Sequence, residues 1–149
     1  FTAMFLHDGI FHIGFNMLSL YFIGRGVEIF YGKWRYLVIY FVSGILGGLA
    51  YFAYYVFFLH TTGPDALGAS GAIFGVFGAF GVFFIVNRRA LGVYGRGAIS
   101  NWIFWLGLNL VYGLLPGSAI AIQAHIGGLV AGLILGFLLV PRLNNRRRI

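Results

Sequence analysis

Ser70 stands in Gly68-Ala69-Ser70-Gly71 at the threshold of an apolar run, Ala72 to Val86, and His125 stands in Ala124-His125-Ile126-Gly127-Gly128 inside another. A hydroxyl and an imidazole are the pair that nucleophilic catalysis needs, because serine becomes an effective nucleophile only when a base removes its proton. Ionisable groups set in apolar runs are costly, so they point to function. A third set lies near the N-terminus: His7, then His12 with Asn16 four residues later. At about 100° per residue His12 and Asn16 share one helix face. Both can therefore point at one spot. The acids are Asp8, Glu28 and Asp65, and none shares a span face with His125. The chemistry would therefore rest on a Ser/His dyad rather than a triad. Each piece also has a plainer use: Ser70 as a helix N-cap, His12 and Asn16 as hydrogen-bond glue between helices, His125 as a satisfied structural residue.

The elements that must position these side chains are membrane spans. The chain has 149 residues, 60% of them hydrophobic and 9% charged, against about 25% charged in soluble domains. A soluble domain is excluded. The net charge of +7 does not indicate nucleic acid, because Lys and Arg fall between apolar runs instead of lining one face. With no cysteine there is no disulfide framework and no thiolate metal site. Runs long enough to cross about 30 Å of hydrocarbon predict five helices: Gly9 to Phe30, Tyr36 to Leu59, Ser70 to Val86, Ile99 to Leu115, and Ala119 to Val140. The predicted connections are Tyr31 to Arg35, His60 to Ala69, Asn87 to Ala98, and Pro116 to Ser118.

Basic residues collect in loops kept on the cytoplasmic side. Arg25, Lys33 and Arg35 mark the first connection, Arg88, Arg89 and Arg96 the third, and Arg142 with Arg146, Arg147 and Arg148 the basic tail, residues 142–149. The second and fourth connections carry none. The tail is therefore expected in the cytoplasm and Phe1 outside, which in turn predicts an upstream span. On this reading 1–149 is a single, N-terminally truncated membrane domain. The same arithmetic places His7, His12, Asn16, Ser70 and His125 together in the outer leaflet. Glycines then repeat at three or four residues, Gly71, Gly75 and Gly78 on one span and Gly128, Gly132 and Gly136 on another. Such seams let helix backbones approach closely, and facing each other they would bring Ser70 within reach of His125.

His12-x-x-x-Asn16, Gly68-x-Ser70-Gly71 and Ala124-His125-x-x-Gly128-x-x-x-Gly132, in this order on three spans, resemble the rhomboid family of intramembrane serine proteases, over nearly the whole chain. The resemblance implies an all-α, polytopic rhomboid-like bundle. It also implies Ser70 as nucleophile, His125 as base and acid, and His12 and Asn16 as oxyanion-hole donors, with the backbone N–H of Ser70 and of Gly68 contributing. His7 matches a family histidine near the cavity mouth. Phe74 takes the place where some members carry a tyrosine that stacks on the catalytic histidine. The family core has six spans, with a long membrane-embedded loop between the first and second; this chain starts at what would be the second.

The function implied is hydrolysis of peptide bonds in or near transmembrane segments of membrane proteins. The substrates would be cut near the outer face of a bilayer, with a bacterial cell membrane as the expected location, and with no cofactor, metal or nucleic acid. Water must reach such a site. Ala72 to Val86 would be only about 22 Å long, so the start of that span is expected to lie below the outer surface, with the loop before it lining a wet cavity. Other intramembrane chemistries lack their residues. There is no His-Glu-x-x-His for zinc, no pair of mid-span aspartates, and residue 72 is Ala where a Gly-x-Ser-x-Gly elbow needs glycine. A transporter would call for an internal repeat or a mid-membrane charge. The remaining alternative is a non-catalytic rhomboid-like protein that binds transmembrane clients.

Overall fold

The computed structural model describes residues 1–115 and 121–143, and within them every regular element is a helix. A single 3-10 turn, Thr2–Phe5, leads into α1 (Ile10–Ser19), a wider π-helical turn (Leu20–Gly24) and α2 (Arg25–Tyr31). Then come α3 (Lys33–Phe58), α4 (Ser70–Leu114) and α5 (Ile122–Leu139). The predicted Pro116 to Ser118 connection, and Arg146 to Arg148 of the tail, lie outside the described residues.

Three helices, α3, α4 and α5, are long and apolar enough to cross a membrane. The five predicted spans are redistributed in two places. The first predicted span is divided by the π turn between α1 and α2. The third and fourth run together in α4, because the predicted Asn87 to Ala98 connection is helical except at Gly92, where φ is 59° and ψ is −127°. Only glycine adopts that backbone without strain, and the chain reverses there. Trp102 donates its indole N–H to the Phe77 carbonyl at 2.9 Å and lies against Gly81. Positions 25 apart would lie about 37 Å from each other along a straight helix. The Tyr31 to Arg35 connection likewise shrinks to Gly32, whose φ of 81° sets α3 directly against α2. The helix that begins at Ser70 also outruns its apolar stretch, continuing through Arg88 and Arg89. The span is therefore short in apolar length and not in helix length.

The interior is built on glycine. A Cβ on Gly128 would land on the Gly71 carbonyl, and one on Gly132 would land on the Gly75 carbonyl. Gly78 meets the Leu129 carbonyl and Gly136 meets Ala79. The two predicted seams face each other, at distances that allow Cα–H···O contacts between helices. Helix α3 joins the same seam through Gly47, which abuts the Ala124 carbonyl, and through Ser43 against Gly75. At the opposite end Tyr31 donates its hydroxyl to the Ala79 carbonyl at 2.8 Å. Asn87 ties α4 to the end of α5, donating to the Pro141 carbonyl (3.1 Å) and accepting from the Leu143 N–H (2.7 Å).

Gly132→Val should force the α4–α5 seam apart, at a cost of about 1–3 kcal/mol for overpacking, and lower Tm by roughly 3–10 °C. Gly48→Ala, with no atom within 4 Å of the added carbon, should leave Tm within about a degree. Thermal unfolding of the detergent-purified variants checks both, and equal Tm values would show that the seam does not carry the packing.

Candidate active site

Ser70 is the first residue of α4, and the N-cap position is taken by Ala69, with no side-chain capping hydrogen bond. The placement of Ser70 is therefore not explained by the N-cap alternative. The first backbone bond of the helix runs from the Ile73 N–H to the Ala69 carbonyl at 3.0 Å. The N–H groups of Ser70, Gly71 and Ala72 consequently open the helix without intrahelical acceptors, at the positive end of its dipole. One turn later Phe74 stacks on the His125 ring, with centroids 4.2 Å apart and planes 17° from parallel. Residues 70 and 74 share a helix face, and Gly71 lies against the Ala124 carbonyl. Ser70 and His125 thus occupy adjacent turns of facing helices. Among the described residues no hydrogen bond joins them. His125 is only 7% exposed, and its Nδ1 is buried without a partner.

His12 and Asn16 come from α1 to the other side of Ser70. The point of convergence is Gly68, where an added Cβ would meet His12 Nε2 at 2.7 Å and Asn16 Nδ2 at 3.5 Å. The Asp8 N–H donates to His12 Nδ1 across 3.4 Å. That leaves Nε2 as the protonated nitrogen of a neutral ring, directed at Gly68. Asn16 is buried at 7% exposure, and its Nδ2 has no partner, so it does not act as glue between helices. His7 packs edge-on to His12, with centroids 5.2 Å apart, and both its nitrogens are buried and unpaired. Each such group costs about 1–3 kcal/mol. Several at one place fit a site whose donors and acceptors are filled by water or substrate.

One expected donor is spent elsewhere. The Gly68 N–H donates to the Ala3 carbonyl at 2.9 Å, so it is not available to an oxyanion. What Gly68 supplies is room: its φ of +119° is strained for any side chain, and a Cβ would displace His12. The sequence reading also missed Ser43, fully buried with an unpaired Oγ against Gly75. The signal was present in Ser43-Gly44-x-x-Gly47, a small-residue stripe on a third helix.

The loop before Ser70 is fastened to α3. Tyr51 donates its hydroxyl to the Pro64 carbonyl at 2.8 Å, the Thr61 N–H bonds the Tyr55 carbonyl at 3.1 Å, and Gly63 sits on the Tyr55 ring. These contacts fix where α4 starts.

Comparison with known proteins places the chain in a family. A family model described as the Rhomboid domain matches residues 1–142. The chain is similar to RHOMBOID-like protein 1 of Arabidopsis thaliana, 36% identical over 142 residues that cover 95% of this chain and 34% of that protein. It is similar to the rhomboid protease GlpG of Salmonella choleraesuis (strain SC-B67), 28% identical over 149 residues, 99% of this chain and 50% of the relative. A shorter match, 48% over 48 residues, covering 32% of this chain and 14% of the relative, is to Inactive RHOMBOID-like protein 8 of Arabidopsis thaliana. The chain spans half or less of the length of these relatives.

Tyr51→Phe removes one hydrogen bond, worth about 1 kcal/mol, from the tether of the 59–69 segment. Limited proteolysis should cut within that segment about fivefold faster, with the helices still protected. An unchanged cleavage rate would show that the tether does not hold the loop.

Proposed function

The chain belongs to the rhomboid family, and from that premise we propose that it is an intramembrane serine endopeptidase cutting in or near the transmembrane segments of membrane-protein substrates. The observation that carries the reading is the stacking of His125 on Phe74, one turn from Ser70. His125 Nε2 would take the proton from Ser70 Oγ as that oxygen bonds to the peptide carbonyl carbon. The ring would return the proton to the leaving amine as the C–N bond breaks, leaving an acyl-enzyme. Water would enter by the same route in reverse and release the new carboxyl end. The tetrahedral oxygen would face His12 Nε2, Asn16 Nδ2 and the open N–H groups at the start of α4. With no carboxylate to hold the imidazole, the Phe74 ring and the glycine seam orient it.

The same proposal includes five membrane crossings. The π turn leaves α1 and α2 one continuous path, and the reversal at Gly92 divides α4 into two apolar arms. The basic residues around Gly92 would then lie on the cytoplasmic side and the Ser70 end outside. The second reading is a non-catalytic protein that binds transmembrane clients, favoured by the match to a relative named inactive and by the missing hydrogen bond between Ser70 and His125.

Ser70→Ala and His125→Ala should each abolish cleavage of a single-span reporter and labelling by a fluorophosphonate, while insertion and Tm are retained. Asn16→Ala should lower kcat more than KM, by about 10- to 1,000-fold. Client capture by wild type with neither cleavage nor labelling would establish the second reading instead. For topology, a cysteine placed at Thr62 should react with an impermeant thiol reagent from outside and one placed at Arg96 should not. The reverse pattern would overturn the orientation.

A further inference from the structure

At the end of the bundle away from Ser70, the reversal at Gly92 brings basic side chains together. Gly95 packs on the backbone of Arg88, where an added Cβ would meet Arg88 Cα and its carbonyl oxygen at 3.3 Å. This close approach returns Arg96 to the side of Arg88 and Arg89. The three arginines, all exposed, line with Ile99, Ser100 and Ile103 an open surface cleft of about 570 Å³. A second cleft of about 340 Å³ shares Arg89 and adds Arg142 beside the Asn87 tether. Among the described residues none of these four guanidinium groups has an ion-pair partner; Asp8 and Asp65 belong to the Ser70 end of the molecule, and the third acid, Glu28 on α2, forms no ion pair with them.

Unpaired arginines converging on one space are a match for phosphate, since the planar guanidinium presents a fork of donors to its oxygens. Apolar Ile99 and Ile103 in the same wall fit an occupant that also carries hydrocarbon. The cleft lies where two apolar arms of α4 meet, the depth at which lipid headgroups sit if those arms cross a bilayer. From these observations we infer that the Arg88/Arg89/Arg96 cleft is a binding site for the headgroup phosphate of an anionic phospholipid. The inference rests on the membrane-spanning part of the proposed function and not on the dyad. Basic pockets between membrane helices hold anionic headgroups in the same manner.

The test uses the 149-residue chain carrying Ser70→Ala, so that proteolysis plays no part, in detergent with equal mole fractions of phosphatidylglycerol and phosphatidylcholine. Lipid retained on the protein is read by native mass spectrometry, with Tm as the check on folding. Phosphatidylglycerol should be retained over phosphatidylcholine by about tenfold or more. R88Q/R89Q/R96Q should lose that preference, while R25Q/K33Q/R35Q, which removes the same charge elsewhere, should keep it. Should the first triple variant fail to fold, Arg96→Gln alone should weaken the preference about fivefold. An unchanged preference in the folded Arg88/Arg89/Arg96 or Arg96 variants would overturn the site. An equal loss in the Arg25/Lys33/Arg35 variant would show a general effect of charge. Displacement of the lipid by inorganic phosphate would identify free phosphate as the occupant and overturn the lipid assignment.

Discussion

Backbone-on-backbone contact between α4 and α5 sets the positions of everything else in this molecule. The Gly71 and Gly75 carbonyls meet the α-carbons of Gly128 and Gly132 with no space for a methyl group. Once that register is set, the rest follows. Ser70 is one residue before Gly71 and His125 three before Gly128, so their turns face each other, and the Phe74 ring, leaning back toward the start of α4 as helical side chains do, stacks on the imidazole. A slip of one turn, about 5.4 Å along the axis, could still set Gly71 on Gly132 and Gly75 on Gly136, but it would separate the rings. In lipid, where apolar burial between helices contributes little drive, such van der Waals contact and polar interaction between helices supply most of the association.

A cost accompanies this design. Tight packing on glycine brings imidazole and amide groups to a place where the protein itself does not satisfy them: His125 Nδ1, Asn16 Nδ2 and both nitrogens of His7. The interior away from this end is different. Asn87 spends its Nδ2 on Pro141 and Phe83 and its Oδ1 on Leu143, the Trp102 indole and the Tyr31 hydroxyl reach carbonyls, and the exception is Ser43. Unpaired polar groups gathered at one end and paired ones elsewhere separate a place built to receive something from a place built to hold together.

Much of this was legible in the sequence, and the reason differs by residue. The glycine spacing at 71, 75 and 78 against 128, 132 and 136 identified the seam, because close approach is something only small residues permit. The spacing of His12 and Asn16 gave their common face from helix geometry alone. The turn at Gly92 was not legible, since hydropathy marks where apolar stretches end and not where the backbone stops being helical; Asn87 to Ala98, predicted as a connection, is helical except at Gly92. Nor was the Gly68 N–H, whose acceptor, Ala3, lies 65 positions earlier. A spacing rule within one helix does not extend to a partner that only tertiary packing supplies. Ser43 was hidden for a related reason: its place against Gly75 depends on a third helix, α3, joining the seam.

The stacked ring bears on how a dyad can work without a third member. A carboxylate beside an imidazole performs two tasks, holding the ring in one orientation and stabilising the imidazolium when it forms. In the proposed dyad Phe74 would perform the first. A face-to-face contact at 4.2 Å limits the ring to rotation in its own plane, and the buried setting of His125 limits even that. The second task is left to whatever meets Nδ1, which finds no partner in the protein. The proton that Nδ1 carries when Nε2 accepts one from Ser70 would therefore be best served by water entering from the Ser70 end. Access of water then serves both as reactant and as the solvation that the missing acid would otherwise provide, so a site that excluded water completely would lose its base together with its second substrate.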